Sequence, residues 1–135
     1  MIGLVIVTQG GLAAELRATL EHVMGRQSQL ELVSIADEAD IARDRARLVD
    51  AVRQVDSGNG VLILIDMLDA SSSELALPLV NARKLEVIAG VNLPILIKLA
   101  TIRRKCSVHE AAVAAQESGR KHIRHYPEAA ARFSH

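Results

Sequence analysis

The stretch Ile2-Gly3-Leu4-Val5-Ile6-Val7-Thr8-Gln9-Gly10-Gly11-Leu12-Ala13-Ala14-Glu15-Leu16 decides the fold. Its leading run, Ile2 to Val7, is unbroken apolar sequence rich in β-branched residues, which predicts a strand buried on both faces. The spacing of Leu12, Leu16, Leu20 and Val23 then predicts one face of a helix. Thr8-Gln9-Gly10-Gly11 joins the two in a sharp turn. In an open α/β sheet such a turn lies at the carboxyl edge of the strands, where free backbone N–H groups and the helix dipole favour an anionic ligand. Thr8, Gly10 and Gly11 are therefore candidate ligand-binding residues, with Gln9 between them.

The rest of the chain repeats the alternation. Gly25 follows Met24 where a positive-φ cap is expected, and Leu30 to Ile35 alternates only partly, as suits a strand nearer the sheet edge. After the acidic connection Asp37 to Asp40, Asp40 can cap a helix with Ile41, Ala42, Leu48, Val49, Val52 and Val55 on one face. Arg43, Asp44, Arg45 and Arg47 fall on the other, read as a solvated surface. Val61 to Ile65 is the most apolar run and predicts a central strand parallel to the first, with Asp66 ending it on the edge that carries Gln9. Ser71-Ser72-Ser73-Glu74 has capping-box spacing with Ser71 as N-cap, and Pro78 should bend or shorten the helix that follows. Leu85 to Gly90 predicts a fourth strand, and Asn92-Leu93-Pro94 opens a helix closed by Arg103, Arg104 and Lys105 at its negative end. Ser107 to Glu110 repeats the capping box, Gly119 to His125 ends the last helix or leads into a short edge strand, and Pro127 to His135 reads as a mobile tail.

Four stretches resemble, in order, the enzyme IIA components of the mannose class in the bacterial phosphotransferase system. They are Val7-Thr8-Gln9-Gly10-Gly11-Leu12-Ala13, Gly58 to Met67, Glu86 to Leu96, and Glu110 to Arg124. Gly90-Val91-Asn92-Leu93-Pro94 is the most specific piece, because apolar periodicity alone does not require it. The resemblance implies a single-domain α/β fold over residues 1–126: an open, mainly parallel sheet in the order 2-1-3-4, with a possible extra edge strand and helices on both faces. Right-handed crossovers favour the same order. It further implies a phosphohistidine carrier in the cytoplasm that exchanges a phosphoryl group with HPr and a IIB-type protein. A homodimer formed near residues 119–125 is also implied.

Two departures alter that expectation. Gln9 stands where the family has its phosphoacceptor histidine, and a carboxamide nitrogen, its lone pair delocalised into the carbonyl, is a very poor nucleophile. Asp66 and a hydroxyl at Ser71 match the second site loop, but Asp69 and Ala70 replace its glycines, and its proline and asparagine are missing. Those glycines would allow positive φ and close approach of N–H groups to phosphate. The sequence thus predicts a regulatory or binding module that keeps the scaffold and has lost phosphoryl acceptance. Asp66 is placed to orient the side chain at position 9. Two alternatives stay open: an active carrier using His22, His109, His122, His125 or His135, or a small phosphorylated-ligand binding protein using Gln9, Asp66 and Ser71.

Composition limits the partners. Sixteen Lys plus Arg balance sixteen Asp plus Glu, which gives no electrostatic footprint for nucleic acid or an anionic membrane. Tyr126 and Phe133 are the only aromatic residues, so base-stacking platforms are lacking. Cys106 is alone and has no metal-ligand spacing around it, and neither metal nor cofactor is expected. No run approaches the length of a membrane-spanning helix.

Overall fold

The computed structural model describes residues 1–35, 40–80 and 84–127. Strand β1 (Gly3–Gln9) leads into α1 (Leu12–Met24), β2 (Leu30–Ile35), α2 (Ile41–Val55), β3 (Val61–Ile65), α3 (Ala70–Val80) and β4 (Leu85–Ala89). Helices α4 (Leu93–Ile102) and α5 (Val108–Lys121) complete the described fold. The sheet has the expected order β2-β1-β3-β4 and every pairing is parallel. Ile6 pairs with Leu32 on one side and Leu64 on the other, so β1 is central.

Period-two alternation divides the core. Leu4, Ile6, Leu62 and Leu64 point to the face covered by Leu20 of α1, Leu96 and Leu99 of α4, and Ala111 and Ala115 of α5. Val5, Val7, Ile63 and Ile65 point to the opposite face, under Leu48, Val52 and Val55 of α2 and Leu75 of α3. Each fully buried Val, Leu or Ile stabilises the fold by roughly 1.5–3 kcal/mol, which is why β1 and β3 read as continuous apolar runs rather than alternating ones. Two glycines permit close approach. A Cβ at Gly3 would collide with the Val55 carbonyl, and one at Gly119 would come within 2.6 Å of Ile95, so α5 could not lie so close to α4.

Several expectations need correction. On α1 the core face is Ala13 and Leu20 with Leu16 half-buried, whereas Leu12 and Val23 are exposed. On α2 the buried stripe begins at Asp44, which is fully buried, and continues through Leu48, Ala51, Val52 and Val55; Ala42 is exposed. Arg45, read as a solvated cation, donates to the Glu74 carbonyl at 3.0 Å. The proline explains this: Pro78 has no N–H for the carbonyl four residues before it, and Arg45 supplies the donor. Helix α3 therefore continues past Pro78 to Val80 without an orphaned acceptor at Glu74. No extra edge strand forms among the described residues, because α5 runs to Lys121 and residues 122–127 are irregular. The segment 128–135 lies outside the described residues, as does Asp37-Glu38 of the acidic connection.

The largest departure is Arg103. Expected at a helix end as a surface cation, it is only 2% exposed. Its guanidinium donates to the carbonyls of Ile2 (3.0 and 2.7 Å), Ser28 (2.9 Å) and Gln29 (2.7 Å), while its own carbonyl accepts from Ile2 N–H at 3.2 Å. Burial, then the neighbouring Arg104, lowers its pKa to about 10, so it remains charged at neutral pH. The end of α4 is thereby fastened to the amino-terminal ends of β1 and β2. Arg103→Met, which retains bulk but removes every donor, is expected to cost about 3 kcal/mol and lower Tm by roughly 10 °C. Thermal and urea unfolding of the two proteins checks this.

Candidate functional site at the carboxyl edge

Three strand ends build the site. Strand β1 stops at the exposed Gln9, and Gly10 turns the chain with φ +54°, in the left-handed region that glycine tolerates best. Thr8 is fully buried, and its hydroxyl accepts Ala13 N–H at 2.8 Å, satisfying one of the first donors of α1. Thr8 thus shapes the turn and does not face the open edge. On the β2 side, Gly10 N–H donates to the Ile35 carbonyl at 3.3 Å, and the Ser34 hydroxyl donates to the Gly10 carbonyl. Arg47 closes this side by donating to the Ser34 carbonyl at 3.0 Å and contacting Asp44 at 3.4 Å. Gly11 is exposed at the start of α1 and offers no side-chain cap.

On the β3 side stands Asp66. It comes against position 9 as the sequence predicts, but through the main chain. Its Oδ2 accepts the backbone N–H of Gln9 at 3.1 Å, and its Oδ1 accepts that of Met67 at 2.8 Å. The Gln9 carboxamide makes no hydrogen bond among the described residues. Asp66 therefore positions the strand end and leaves the side chain of residue 9 directed by solvent.

The loop after Asp66 is capped differently from the sequence reading. Ser71 is not the N-cap. Asp69 is, accepting Ser72 N–H at 2.8 Å, while Ser72 Oγ accepts Asp69 N–H at 2.9 Å. The Ser72 hydroxyl also lies 3.0 Å from the Met67 carbonyl, which ties the loop to the residue beside Asp66. Burial separates the two serines: Ser72 is 2% exposed, whereas Ser71 is half-buried. The Ser72 N–H, then its hydroxyl, hold the Asp69 carboxyl below the usual carboxylate range.

The edge around Gln9 carries exposed apolar side chains and acids as well as Arg45 and Arg47 of α2. Leu12, Met67 and Leu68 are 45%, 66% and 48% exposed, and Asp40, Asp66, Asp69 and Glu74 lie at the starts of α2 and α3 or on the loop between β3 and α3. The other histidines are elsewhere. His22 is on the last turn of α1, at the opposite edge. His109, at the start of α5, pairs with Glu86 of β4 at 3.0 Å, and His122 ends α5 with Nδ1 2.8 Å from the Ser118 carbonyl. His125 lies in the irregular segment beyond α5, and His135 is outside the described residues. Among the described residues no group of three His, Cys, Asp or Glu side chains is arranged to hold a metal, and no helix is long and apolar enough to cross a membrane.

An open parallel sheet with a strand-to-helix turn and an acid facing each other at its carboxyl edge defines an α/β protein of the open-sheet class, in which ligands bind at the strand ends. The sequence pattern of the phosphotransferase-system fructose IIA component family, EIIA-man, matches residues 3–116, and the chain belongs to that family. No curated protein sequence gives a significant match. Among solved structures it is similar to the phosphotransferase component EIIA from Streptococcus agalactiae, with TM-score 0.86, 20% identity, and 95% of this chain and 99% of that chain covered. It is also similar to the mannose/sorbose specific IIA subunit from Enterococcus faecalis, with TM-score 0.81, 23% identity and 92% and 93% covered. A sigma-54 interaction domain protein from Enterococcus faecalis shares the fold, with TM-score 0.71, 15% identity and 99% and 97% covered.

A folded-state pKa below the unfolded value means that Asp69 stabilises the native state above the usual carboxylate range, and that this contribution is lost as pH falls through the lowered value. The stability difference between the protein and an Asp69→Ala variant is accordingly expected to be full at pH 7 and to shrink below about pH 4. Urea midpoints measured at pH 7 and pH 3 check it.

Proposed function

We propose that this chain is a cytoplasmic mannose-class IIA homologue that does not itself carry phosphate and acts as a regulatory or binding module toward phosphotransferase proteins. The observation that carries this reading is Gln9. It occupies the family's acceptor position, is exposed at the carboxyl edge, and presents an amide nitrogen whose lone pair is not available to attack phosphorus. Three histidines among the described residues give no substitute: His22 and His109 belong to the other edge, and His122 lies beside β4, separated from β1 by β3.

The scaffold for docking is retained. Leu12, Met67 and Leu68 form an exposed apolar patch rimmed by Asp66 and Asp69, suited to an HPr-like carrier or a IIB-type protein with apolar residues framed by cations. That the same fold serves both phosphotransferase components and a sigma-54 interaction domain protein is consistent with a regulatory use. Incubation with phosphoenolpyruvate, enzyme I and HPr, followed by intact-mass measurement, is expected to show no added phosphoryl group. Stoichiometric addition of one would sink the proposal.

A homodimer is the second part of the reading. Strand β4 pairs only with β3 among the described residues, and its free edge borders an open groove of about 360 Å³ lined by Glu86, Val87, Ala89, His109, Val113 and Gln116. Ile123, 75% exposed, lines an adjoining cavity with Ile88 and Ala89. Residues 122–125 of a second copy, the irregular part of the stretch 119–125, are the proposed occupant, adding backbone hydrogen bonds to an unpaired edge. Sedimentation velocity is expected to show a dimer that Ile123→Asp weakens at least tenfold; a monomer across the micromolar range would refute it.

A further inference from the structure

The accounting of N–H donors at the carboxyl edge has a consequence for specificity. An anion binds such an edge through backbone N–H groups at strand ends and at the start of a helix. Here three of those groups already have carboxylates. Gln9 N–H and Met67 N–H donate to Asp66 at 3.1 and 2.8 Å, and Ser72 N–H, on the first turn of α3, donates to Asp69 at 2.8 Å. The Ser72 hydroxyl, which could otherwise turn to a ligand, is enclosed by Asp69 N–H and the Met67 carbonyl.

We propose that Asp69 is a second, independent determinant that withholds this edge from phosphoryl groups: its carboxylate stands in for the anion at the start of α3. This rests on the reading of Gln9 as a silent acceptor position and extends it. Restoring a histidine at position 9 supplies a nucleophile, but the incoming phosphoryl oxygens still meet donors that are occupied and two carboxylates, Asp66 and Asp69, of like charge. The start of α3 is thereby closed to an anion by its own cap, and the exposed Leu12, Met67 and Leu68 lie at the same edge.

The chemistry of the test is an even exchange: an N–P bond forms on the introduced imidazole as the N–P bond of phospho-HPr breaks, and the imidazole of HPr leaves. Three proteins are compared with phosphoenolpyruvate, enzyme I and HPr by intact mass over time: Gln9→His, Gln9→His with Asp69→Asn, and Gln9→His with Asp69→Gly. Asparagine retains the helix cap while removing the charge, so loss of fold does not confound the result. The first variant is expected to label slowly, the second about tenfold faster, and the third at least as fast as the second. Equal rates for all three, or no labelling in any while circular dichroism shows them folded, would overturn the role of Asp69 and leave the reading of Gln9 standing. Labelling of the unaltered chain would instead overturn that reading. Titration with inorganic phosphate followed by amide NMR gives a readout that needs no transfer: Ser72 N–H is expected to shift in Asp69→Gly and stay fixed in the unaltered chain. A phosphate-dependent shift of Ser72 in the unaltered chain would refute the proposal.

Discussion

Strand β1 runs through the interior with neighbours on both edges and helices over both faces, so water cannot complete its backbone hydrogen bonding. The polar groups at its two ends therefore need protein partners, and the surrounding structure is arranged to give them. At the amino end, Arg103 supplies a guanidinium to the Ile2 carbonyl and draws in the carbonyls of Ser28 and Gln29. At the carboxyl end, Asp66 accepts Gln9 N–H. One cation and one anion, at opposite edges, fix where the central strand begins and ends.

The two ends differ in what they leave for function. The cation is buried among carbonyls, with no carboxylate opposite it, and its role is finished when the chain is folded. The anion is half-buried at an open edge. By engaging the main chain rather than the side chain of residue 9, Asp66 leaves the identity of that residue free to change without loss of the strand end. That is a physical route by which the fold keeps its shape with glutamine at position 9. The loop beyond Asp66 follows the same logic, because Asp69 and Ser72 satisfy one another and make the start of α3 self-sufficient.

Helices α2 and α3 contribute a further constraint. Proline at position 78 removes a helical donor, and Arg45 reaches across to take the Glu74 carbonyl that is left. Arg47 links Asp44 of the same helix to the end of β2. The charged residues of α2 thus brace the β2 and α3 sides of the edge around Gln9, although their spacing alone marks them as a solvated face.

Short-range patterns were enough for the elements, and right-handed crossovers together with the family resemblance set their order in the sheet. Apolar runs identified β1 and β3, alternation placed β2 at an edge, and the Asn92 and Ser107 caps are formed as written, because each of these depends only on residues within a few positions of one another. The place of Gln9 was likewise legible, since an exposed residue at the end of an apolar run is a local pattern. Tertiary structure alone decided which charges were surface and which were not. Arg103 and Arg45 look like any exposed helical residues until strands and helices from distant parts of the chain bring carbonyls to them, and Asp44 is buried by packing with Arg47 of its own helix as its partner. It also chose Asp69 over Ser71 as the cap, because only packing buries Ser72 and fixes the frame of the loop. Local sequence sets propensities, but the placement of a buried polar group is settled by which distant acceptor needs it.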